Sequence, residues 1–455
     1  MISFYSTKRE SPDVDLRGAL LTGQAPDWGL YMPAEIPVIP RDEILGFKDK
    51  SYPEVAFHVL KRYAEGLIPD DELMRLCGEC YDYDVPLEHV YGTSHLMRLD
   101  QGPTASFKDF AARMMARMMR FFLKAEGGEL VILTATSGDT GSAVAHAFHN
   151  VDRISMVVLF PKTEVSDRQR RQMTTLGGNV RVIGVDGKFD DCQALVKQAF
   201  ADAKLSKIRF SSANSINIGR LLPQSVYYFY AWARLQQEGE DAVFSVPSGN
   251  FGDMCGGLLA LRAGLPAERF VIATNENDEF PRFLAEEKYR KIEPSRVCIS
   301  NAMNVGHPSN LPRVVALYGG MMDEKGNVAS APDFELMRRE MHSTSINDTQ
   351  TRQAIVDTWE KFRVMLEPHG AVGWAALERY LAEGHAPKLA ISIETAHPAK
   401  FPEEIQRLLK TEPELPPSLA GLDQKQEQYE DGPNEYEWFR GWLKKAFQRP
   451  SGQVA

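Results

Sequence analysis

Six short apolar segments in the middle and C-terminal parts of the chain limit the folds that it can adopt. Each is rich in β-branched residues, and each is followed by a polar or glycine-rich turn and usually by a helical pattern. They are "ELVILTA" (129–135), "RISMVVLF" (153–160), "NVRVIGV" (179–185), "DAVFSVP" (241–247), "RFVIATN" (269–275) and "KLAISIE" (388–394). Continuous apolar strands that alternate with helices are typical of parallel sheets buried on both faces. We therefore predict an α/β protein with two parallel-sheet domains, in which ligands bind beyond the carboxyl ends of the strands.

The first 95 residues lack this alternation. They are rich in proline, acidic and aromatic residues and contain helical patterns such as "SYPEVAFHVLKRYAEG" (51–66). We predict a separate, mainly helical N-terminal domain at 1–95, followed by α/β domains at 96–240 and 241–455. The last of these ends in a polar tail from about residue 412, in which "EWFRGWLKKAF" (437–447) has an amphipathic pattern. A surface-packed helix is the simpler interpretation of this pattern, and a partner-binding helix is the alternative.

The charge and composition exclude several classes of function. The 455 residues include 52 basic and 62 acidic side chains, a net charge of −10, which argues against a nucleic-acid or acidic-membrane partner bound through a broad basic surface. The first eight residues lack the pattern of a signal peptide, and no apolar run approaches a membrane span, so we expect a cytoplasmic protein. Five cysteines are too few for a disulfide framework, and Cys77 and Cys80 lack the further ligands that a zinc site needs. We expect no metal.

One helix carries a lysine in an unusual position. In "TASFKDFAARMMARMM" (104–119), phenylalanine, alanine and methionine residues recur with helical spacing. Lys108 lies beside this stripe in the first turn, where the helix dipole disfavours a cation, whereas Arg113, Arg117 and Arg120 are expected on a solvent face. A helix N-terminus and apolar neighbours lower the pKa of an amine, which suits a nucleophile. A structural lysine that extends past its apolar neighbours is the alternative.

Three polar loops could bind anions. The segments 134–142 ("TATSGDTGS") and 248–257 ("SGNFGDMCGG") each link an apolar strand to a helix, an arrangement that directs main-chain N–H groups at an anion. Capped helices with permissive glycines are the alternative. Neither loop matches a nucleotide-binding motif. The segment 211–220 adds amides, hydroxyls and Arg220, which is suited to a phosphate or a carboxylate. Two anion-binding loops, an arginine-bearing loop and a first-turn lysine together indicate a pyridoxal phosphate site.

Several separated motifs, in order along the chain, resemble those of the threonine synthases. They are "GLYMPAEIP" (29–37), "SFKDFAAR" (106–113), "TATSGDTG" (134–141), "NSINIGR" (214–220), "SGNFGD" (248–253), "ATNENDEF" (273–280) and "ETAHPAKF" (394–401). The resemblance implies a pyridoxal phosphate enzyme of fold type II, similar to the tryptophan synthase β subunit, from the branch with an extra N-terminal domain.

The resemblance also implies roles for individual residues. Lys108 would hold the cofactor as a Schiff base and then transfer protons, Phe107 would lie against the cofactor, and Thr395 would hydrogen-bond the pyridine nitrogen. The cofactor phosphate would lie in the loop formed by Ser248, Gly249, Asn250, Phe251, Gly252 and Asp253. The substrate would face Ser137, Gly138, Asp139 and Thr140, and its phosphate would be held by Asn214, Ser215, Asn217 and Arg220.

Two residues depart from the family pattern. Many fold-type II relatives carry asparagine where this chain has Asp139, and a carboxylate there would repel the cofactor phenolate and a substrate carboxylate unless it is paired or turned away. Trp28 stands in "APDWGLY", where a second glycine is expected, and should affect domain packing more than chemistry.

The reaction implied by the resemblance converts O-phospho-L-homoserine and water to L-threonine and phosphate. The α-proton and then the β-proton leave, phosphate departs from the γ-carbon, a proton returns there, and water adds at the β-carbon. The expected partner is this small substrate, with no nucleic acid and no membrane, and the enzyme is expected to be a monomer or a homodimer. A related phospholyase that releases 2-oxobutyrate, or a non-catalytic phosphate-binding protein on the same fold, are the alternatives; threonine dehydratase and cysteine synthase do not explain a second phosphate cluster.

Overall fold

Fifteen strands are present in the computed structural model, which describes residues 1–136 and 138–448. They are β1 (Phe4–Ser6), β2 (Tyr31–Pro33), β3 (Leu87–Tyr91), β4 (Ser94–Arg98), β5 (Leu130–Ala135), β6 (Ile154–Pro161), β7 (Val180–Asp186), β8 (Phe210–Ser212), β9 (Ala242–Pro247), β10 (Ala267–Thr274), β11 (Met321–Met322), β12 (Val328–Ser330), β13 (Met341–Ser345), β14 (Ala390–Glu394) and β15 (Glu430–Pro433).

The same residues form seventeen α-helices. They are α1 (Leu16–Thr22), α2 (Arg41–Leu45), α3 (Tyr52–Ala64), α4 (Asp70–Cys80), α5 (Lys108–Glu126), α6 (Asp139–Phe148), α7 (Asp167–Thr174), α8 (Phe189–Ala201), α9 (Val226–Leu235), α10 (Gly252–Arg262), α11 (Glu279–Glu286), α12 (Leu311–Leu317), α13 (Phe334–Glu340), α14 (Asp348–Phe362), α15 (Pro368–Ala382), α16 (Pro402–Leu409) and α17 (Tyr436–Phe447). None of these helices has the length and apolar character needed to cross a membrane.

Two parallel sheets form the framework, as predicted. The first has the strand order β15-β7-β6-β5-β8 and is parallel throughout. The second has the order β13-β10-β9-β14-β4-β3, and only the β3–β4 pair is antiparallel. Each of the six apolar segments forms one of these strands, and β5, β9 and β14 are buried along their whole length. This burial on both faces is why these segments read as continuous apolar runs.

Sheet membership crosses the domain limits expected from the sequence. The strand β4, near residue 95, pairs with β14 in the second sheet, and β15, from the C-terminal tail, pairs with β7 in the first sheet. The limits at 95 and 240 therefore stay a prediction, although residues 1–80 are mainly helical with a small β1–β2 sheet. The helix α17 packs against α8 and buries Phe439 and Leu443, which favours the surface-packed interpretation of the tail.

The helix α5 is covered on a side that the sequence pattern assigned to solvent. Arg113 is only 8% exposed, and its guanidinium donates to the Asp82 carboxylate (2.5 Å) and to the Glu79 carbonyl (2.9 Å). Arg117 donates to the Ala147 carbonyl at 3.0 Å. The expected solvent face was wrong for these arginines because α4 of the N-terminal region and α6 both pack on α5.

Cys77 and Cys80 lie in α4 and are fully buried. Burial raises the pKa of both thiols, to about 12 for Cys80, so they stay protonated and serve as small apolar side chains.

Candidate functional site

A cavity lies at the carboxyl ends of three strands from the two sheets. Thr136 follows β5, Ser248 follows β9 and Thr395 follows β14, and all three residues line the cavity together with Lys108. The space measures about 1020 Å³, part of it open to solvent. A ligand site in this position is expected for open parallel sheets.

Lys108 is the first residue of α5 and lies half-buried in this cavity. The preceding residue fixes its position, because the Phe107 N–H donates to the Thr395 carbonyl at 2.8 Å. The Phe107 ring centroid lies 4.7 Å from the Lys108 Nζ. Burial, aided by the charges of Lys400 and Arg220, lowers the pKa of Lys108 to about 8. A sizeable fraction of this amine is therefore neutral near neutral pH, as a nucleophile requires.

The start of α5 is held by the side chain of Asp109. The Asp109 carboxylate accepts hydrogen bonds from the Thr104 N–H (2.8 Å) and from the Thr104 hydroxyl (2.7 Å). Neither Thr104 nor Ser106 caps the helix. This contact bends the chain back on itself immediately before Lys108.

The loop from Ser248 to Asp253 connects β9 to α10. Within residues 1–136 and 138–448, the main-chain N–H groups of Gly249, Asn250 and Phe251 have no hydrogen-bond acceptor. Phe251 is left-handed, with φ of 59°, and a Cβ atom on Gly249 would lie 2.8 Å from the Met303 Cα. The close approach explains the glycine, and the free N–H groups at the start of a helix form an anion-binding site.

Asn250 anchors this loop to the neighbouring residues Ser309 and Asn310. Its carboxamide oxygen accepts hydrogen bonds from the Ser309 N–H (3.0 Å) and hydroxyl (3.1 Å). Its main-chain carbonyl accepts from the Asn310 amide at 2.9 Å. The Asn310 amide also donates to the Ser215 hydroxyl at 2.9 Å, so one side chain links this loop to the arginine-bearing loop.

Asp253 lies in the first turn of α10 and is almost fully buried. One carboxylate oxygen accepts from the hydroxyls of Tyr227 (2.5 Å) and Tyr228 (2.7 Å), while the other has no partner among the described residues. Burial raises the pKa of Asp253 to about 6, against the opposing effect of the two tyrosines and Lys108. The neutral acid is therefore easily populated beside the anion-binding loop.

The loop after β5 is held by Thr136, whose hydroxyl oxygen accepts from the N–H groups of Gly138 (3.0 Å) and Gly141 (2.7 Å). Gly138 has φ of 138°, and a Cβ atom there would lie 2.5 Å from the Gln169 side chain. Gly138 is not among the residues that line the cavity, whereas Asp139 and Thr140 are. Ser137 lies outside the described residues.

Asp139 forms an ion pair with Lys400, so its carboxylate does not bring an uncompensated negative charge to the cavity. The Lys400 Nζ lies 2.6 Å from one Asp139 oxygen, and both side chains are buried. The Gln169 amide donates to the same oxygen at 3.0 Å. Burial alone would raise the pKa of Asp139, but the charges of Lys400 and Lys108 hold it well below its usual range.

Arg220 is a buried cation that has no carboxylate partner among residues 1–136 and 138–448. It is 2% exposed and lines the cavity. Within the described part of the chain, its guanidinium makes one hydrogen bond, to the Ala213 carbonyl at 2.7 Å, and its Nε has no partner. Burial lowers the pKa of Arg220 to about 10, and it stays charged near neutral pH. An uncompensated buried charge is costly unless a ligand pairs with it.

Asn214 and Ser215 join Arg220 in lining the cavity, but Asn217 does not. The Asn217 amide donates to the carbonyls of Leu20 (2.9 Å) and Ser212 (3.0 Å), and its oxygen accepts from the Gly219 N–H. The polar atoms of the Asn217 side chain are therefore already hydrogen-bonded within the loop and to α1. The structure does not support the expected contact between Asn217 and the substrate.

Thr395 belongs to a buried network that also reaches the cavity. Its hydroxyl donates to the Glu367 carboxylate at 3.1 Å, and the His369 Nδ1 lies 2.5 Å from the same carboxylate. The His369 Nε2 accepts from the Ala302 N–H at 3.0 Å, so Nδ1 carries the proton. Burial and the adjacent Glu367 raise the pKa of Glu394 well above its usual range.

Several residues around the cavity were not predicted from the sequence. Lys400 lies within the "ETAHPAKF" motif and could have been found as its only cation. His369 and Gln224 line the cavity, and the Gln224 Oε1 has no partner among the described residues. Neither lies in a motif that distinguishes it from a structural residue.

Comparisons with known proteins agree with this geometry. A family model described as "Pyridoxal-phosphate dependent enzyme" matches residues 86–392, and models of the threonine synthase N terminus and C-terminal region match 3–81 and 370–440. The threonine synthase of Haemophilus influenzae is 37% identical, over 98% of this chain and 100% of its own. That of Serratia marcescens is 37% identical, over 92% of this chain and 94% of its own.

A solved structure extends the similarity to three dimensions. The pyridoxal-phosphate-bound threonine synthase of Brucella melitensis superimposes with a TM-score of 0.91 at 34% identity, over 99% of this chain and 100% of that chain. The family models, the relatives and this structure cover the N-terminal region, both sheets and the C-terminal region. The chain therefore belongs to the threonine synthase family of pyridoxal-phosphate-dependent enzymes.

Proposed function

We propose that the protein converts O-phospho-L-homoserine and water to L-threonine and phosphate. One observation carries this proposal: two separate anion-binding groups share the cavity with Lys108. The first is the set of N–H groups at Gly249, Asn250 and Phe251, and the second is the cation of Arg220; neither group has an acceptor or a carboxylate partner in the part of the chain that the structure describes. A cofactor phosphate and a substrate phosphate require two such places, whereas a dehydratase acting on an unphosphorylated amino acid requires a place for one phosphate only.

The residues of the cavity fit pyridoxal phosphate. The main-chain N–H groups of the Gly249–Gly252 loop, flanked by Ser248 and Asp253, would hold its phosphate, and Lys108 would hold its aldehyde carbon. Thr395 would donate a hydrogen bond to the pyridine nitrogen, because its hydroxyl can rotate from Glu367. When bound, the cofactor supplies an electron sink for the negative charge that develops on the substrate carbons.

Lys108 is the base that this site offers for the substrate protons. Its lowered pKa of about 8 lets the free amine accept the α-proton and return it later. His369 is the histidine that lines the cavity, but both of its ring nitrogens are already engaged, with Glu367 and with the Ala302 N–H. We infer that the expelled phosphate, kept beside Arg220, acts as the second acid or base.

Substrate orientation comes from the remaining polar groups of the cavity. Arg220, Asn214 and Ser215 would grip the substrate phosphate, and Thr140 with the loop after β5 would face its amino-acid end. Because Arg220 is already desolvated, phosphate binding gains the full strength of a charge-assisted pair without a further dehydration cost for the arginine.

Product analysis tests the proposal. The purified protein is supplied with pyridoxal phosphate and O-phospho-L-homoserine, and the products are identified. L-threonine and phosphate in equal amounts are expected. Release of 2-oxobutyrate and phosphate would instead indicate a phospholyase, and binding of phosphate without turnover would indicate a non-catalytic protein on the same fold.

Two further properties stay predictions. We propose a cytoplasmic enzyme that works as a monomer or a homodimer on its small substrate. The acidic net charge of −10 is consistent with a protein that does not use a broad basic surface. Sedimentation velocity of the holoenzyme measures the oligomeric state, and a tetramer or larger species would contradict the prediction.

A further inference from the structure

The buried pair of Asp139 and Lys400 lies next to Lys108 and has no role in the reaction described above. Its atoms are 2.6 Å apart, and the exposed fractions of the two side chains are 2% and 0%. The pair is held rigidly, because the Lys400 Nζ also donates to the Thr104 carbonyl (3.0 Å) and the Gln169 amide donates to Asp139 (3.0 Å).

Stability alone does not account for such a pair. Removing two charges from water costs about as much as their attraction returns, and apolar residues of similar size commonly stabilise a core as well or better. The two residues come from different segments: Asp139 begins α6, and Lys400 follows β14. Through Thr104, Lys400 also touches the segment that leads into Lys108. The pair therefore stands where three segments that line the cavity converge.

The two charges act on Lys108 in opposite directions. Beyond the effect of burial, Asp139 favours the charged form of the Lys108 amine, and Lys400 disfavours it. Further charged or titratable groups that face Lys108 or Asp139 are Arg220, Glu367, Asp253 and His369. Among these charges, Asp139 has the largest effect on the Lys108 amine. Without Lys400, its carboxylate would be the group that most strongly favours the protonated form of Lys108.

We propose that Lys400 is a positioning residue that cancels the charge of Asp139 beside Lys108, so that the nitrogen of Lys108 can shed its proton. The ion pair thereby presents a polar but electrically neutral group beside Lys108. This inference rests on the proposed function, because it concerns the reaction of Lys108 with pyridoxal phosphate.

The step that benefits is the attachment of the cofactor. The neutral Lys108 amine attacks the aldehyde carbon, a C=N bond replaces the C=O bond, and the carbonyl oxygen leaves as one molecule of water. No oxidant or reductant takes part. The Lys108 nitrogen can still gain or lose a proton after it is joined to the cofactor. The pH at which half of this nitrogen is protonated, its protonation midpoint, therefore depends directly on the charges of Asp139 and Lys400.

The test measures that midpoint in the holoenzyme by absorbance as a function of pH. Lys400→Met leaves Asp139 unpaired and should raise the midpoint by about 1 to 2 pH units, because an uncompensated charge that faces a titrating group commonly shifts its pKa by about that much. Asp139→Asn should lower it by a similar amount. The double variant Asp139→Asn/Lys400→Met and the variant Lys400→Arg should both return to within about 0.5 pH unit of wild type.

Lys410→Met is the matched control, because Lys410 is exposed and its Nζ donates, among the described residues, only to the Arg407 carbonyl. The protonation midpoint of this variant should equal that of the wild type. An unshifted midpoint in Lys400→Met, or a double variant displaced further than either single variant, overturns the proposal. If Lys400→Met does not fold, as judged by far-UV circular dichroism, an unshifted midpoint in Asp139→Asn overturns it equally. A wild-type protein without cofactor absorbance would instead overturn the proposed function.

Discussion

Replacing Arg220 with methionine separates the contribution of this residue to function from its contribution to stability. Methionine keeps most of the length of the side chain but removes a charge that is 2% exposed and has no carboxylate partner among the described residues. We expect the variant to be more stable and less active than the wild type. A structural arginine would give the opposite result.

The gain in stability follows from the cost of burying the charge. Burial lowers the pKa of Arg220 to about 10, which corresponds to roughly 3 kcal/mol of unfavourable free energy for the charged form in the folded state. This cost is present at every pH below about 10. The variant also loses the hydrogen bond to the Ala213 carbonyl, which costs about 1 kcal/mol of stability. The net gain is about 1 to 2 kcal/mol, or roughly 1 to 2 °C in Tm for a chain of 455 residues.

The loss of activity follows from the substrate phosphate. Removing one partner of a desolvated, charge-assisted pair costs about 3 to 5 kcal/mol, so kcat/KM for O-phospho-L-homoserine should fall by roughly 10² to 10⁴-fold. If the departed phosphate also serves as an acid or base, kcat itself should fall. An increase in KM at constant kcat would show that Arg220 only binds.

The assay compares Tm of the protein without substrate with steady-state kinetics of the holoenzyme. Arg313→Met is the matched control, because burial lowers the pKa of Arg313 to about 10 as well, yet its guanidinium donates to the carbonyls of Tyr31, Ser215 and Ile216. That variant should lose stability. If Arg220→Met instead lowers Tm and leaves kcat/KM intact, the assignment of Arg220 to the substrate phosphate is refuted.

Three further outcomes are expected. Lys108→Ala should reduce threonine formation by at least about 10³-fold and abolish the cofactor absorbance, while Tm stays within about 2 °C of wild type; residual turnover near wild type would contradict the role of Lys108. Because the folded-state pKa of Asp253 is raised to about 6, the folded state binds a proton more tightly than the unfolded chain and stability falls as pH rises from about 4 to about 6. Asp253→Asn, which keeps the acceptor for Tyr227 and Tyr228, should therefore raise the unfolding free energy by roughly 1 to 3 kcal/mol at pH 8 and have little effect at pH 4; equal effects in chemical denaturation at both pH values would refute this. Trp28 has φ of 67°, so Trp28→Gly should change the unfolding free energy by no more than about 1 kcal/mol, whereas the β-branched Trp28→Val should cost about 1 to 2 kcal/mol more; a reversed order in denaturant melts would show that the ring, not the backbone, matters.

Local patterns determined the strands and the loops and singled out Lys108 as the candidate nucleophile. The six apolar segments became strands of the two sheets because burial on both faces requires apolar residues at every position. Lys108 was identifiable because helical periodicity shows which residue departs from an apolar stripe. The Gly249–Gly252 loop was identifiable because close main-chain approaches leave few choices besides glycine.

Only the tertiary structure decided which distant residues pair. Asp139 meets Lys400, β4 pairs with β14, and Asn217 turns to the Leu20 carbonyl rather than to the cavity. No local periodicity encodes such contacts, because a buried polar group takes whichever partner the packing of the whole chain brings within reach. The sequence by itself therefore determined what kinds of element this protein has and which lysine is the candidate nucleophile. The fold decided which charges are neutralised and that Arg220 lines the cavity with no carboxylate partner among the described residues.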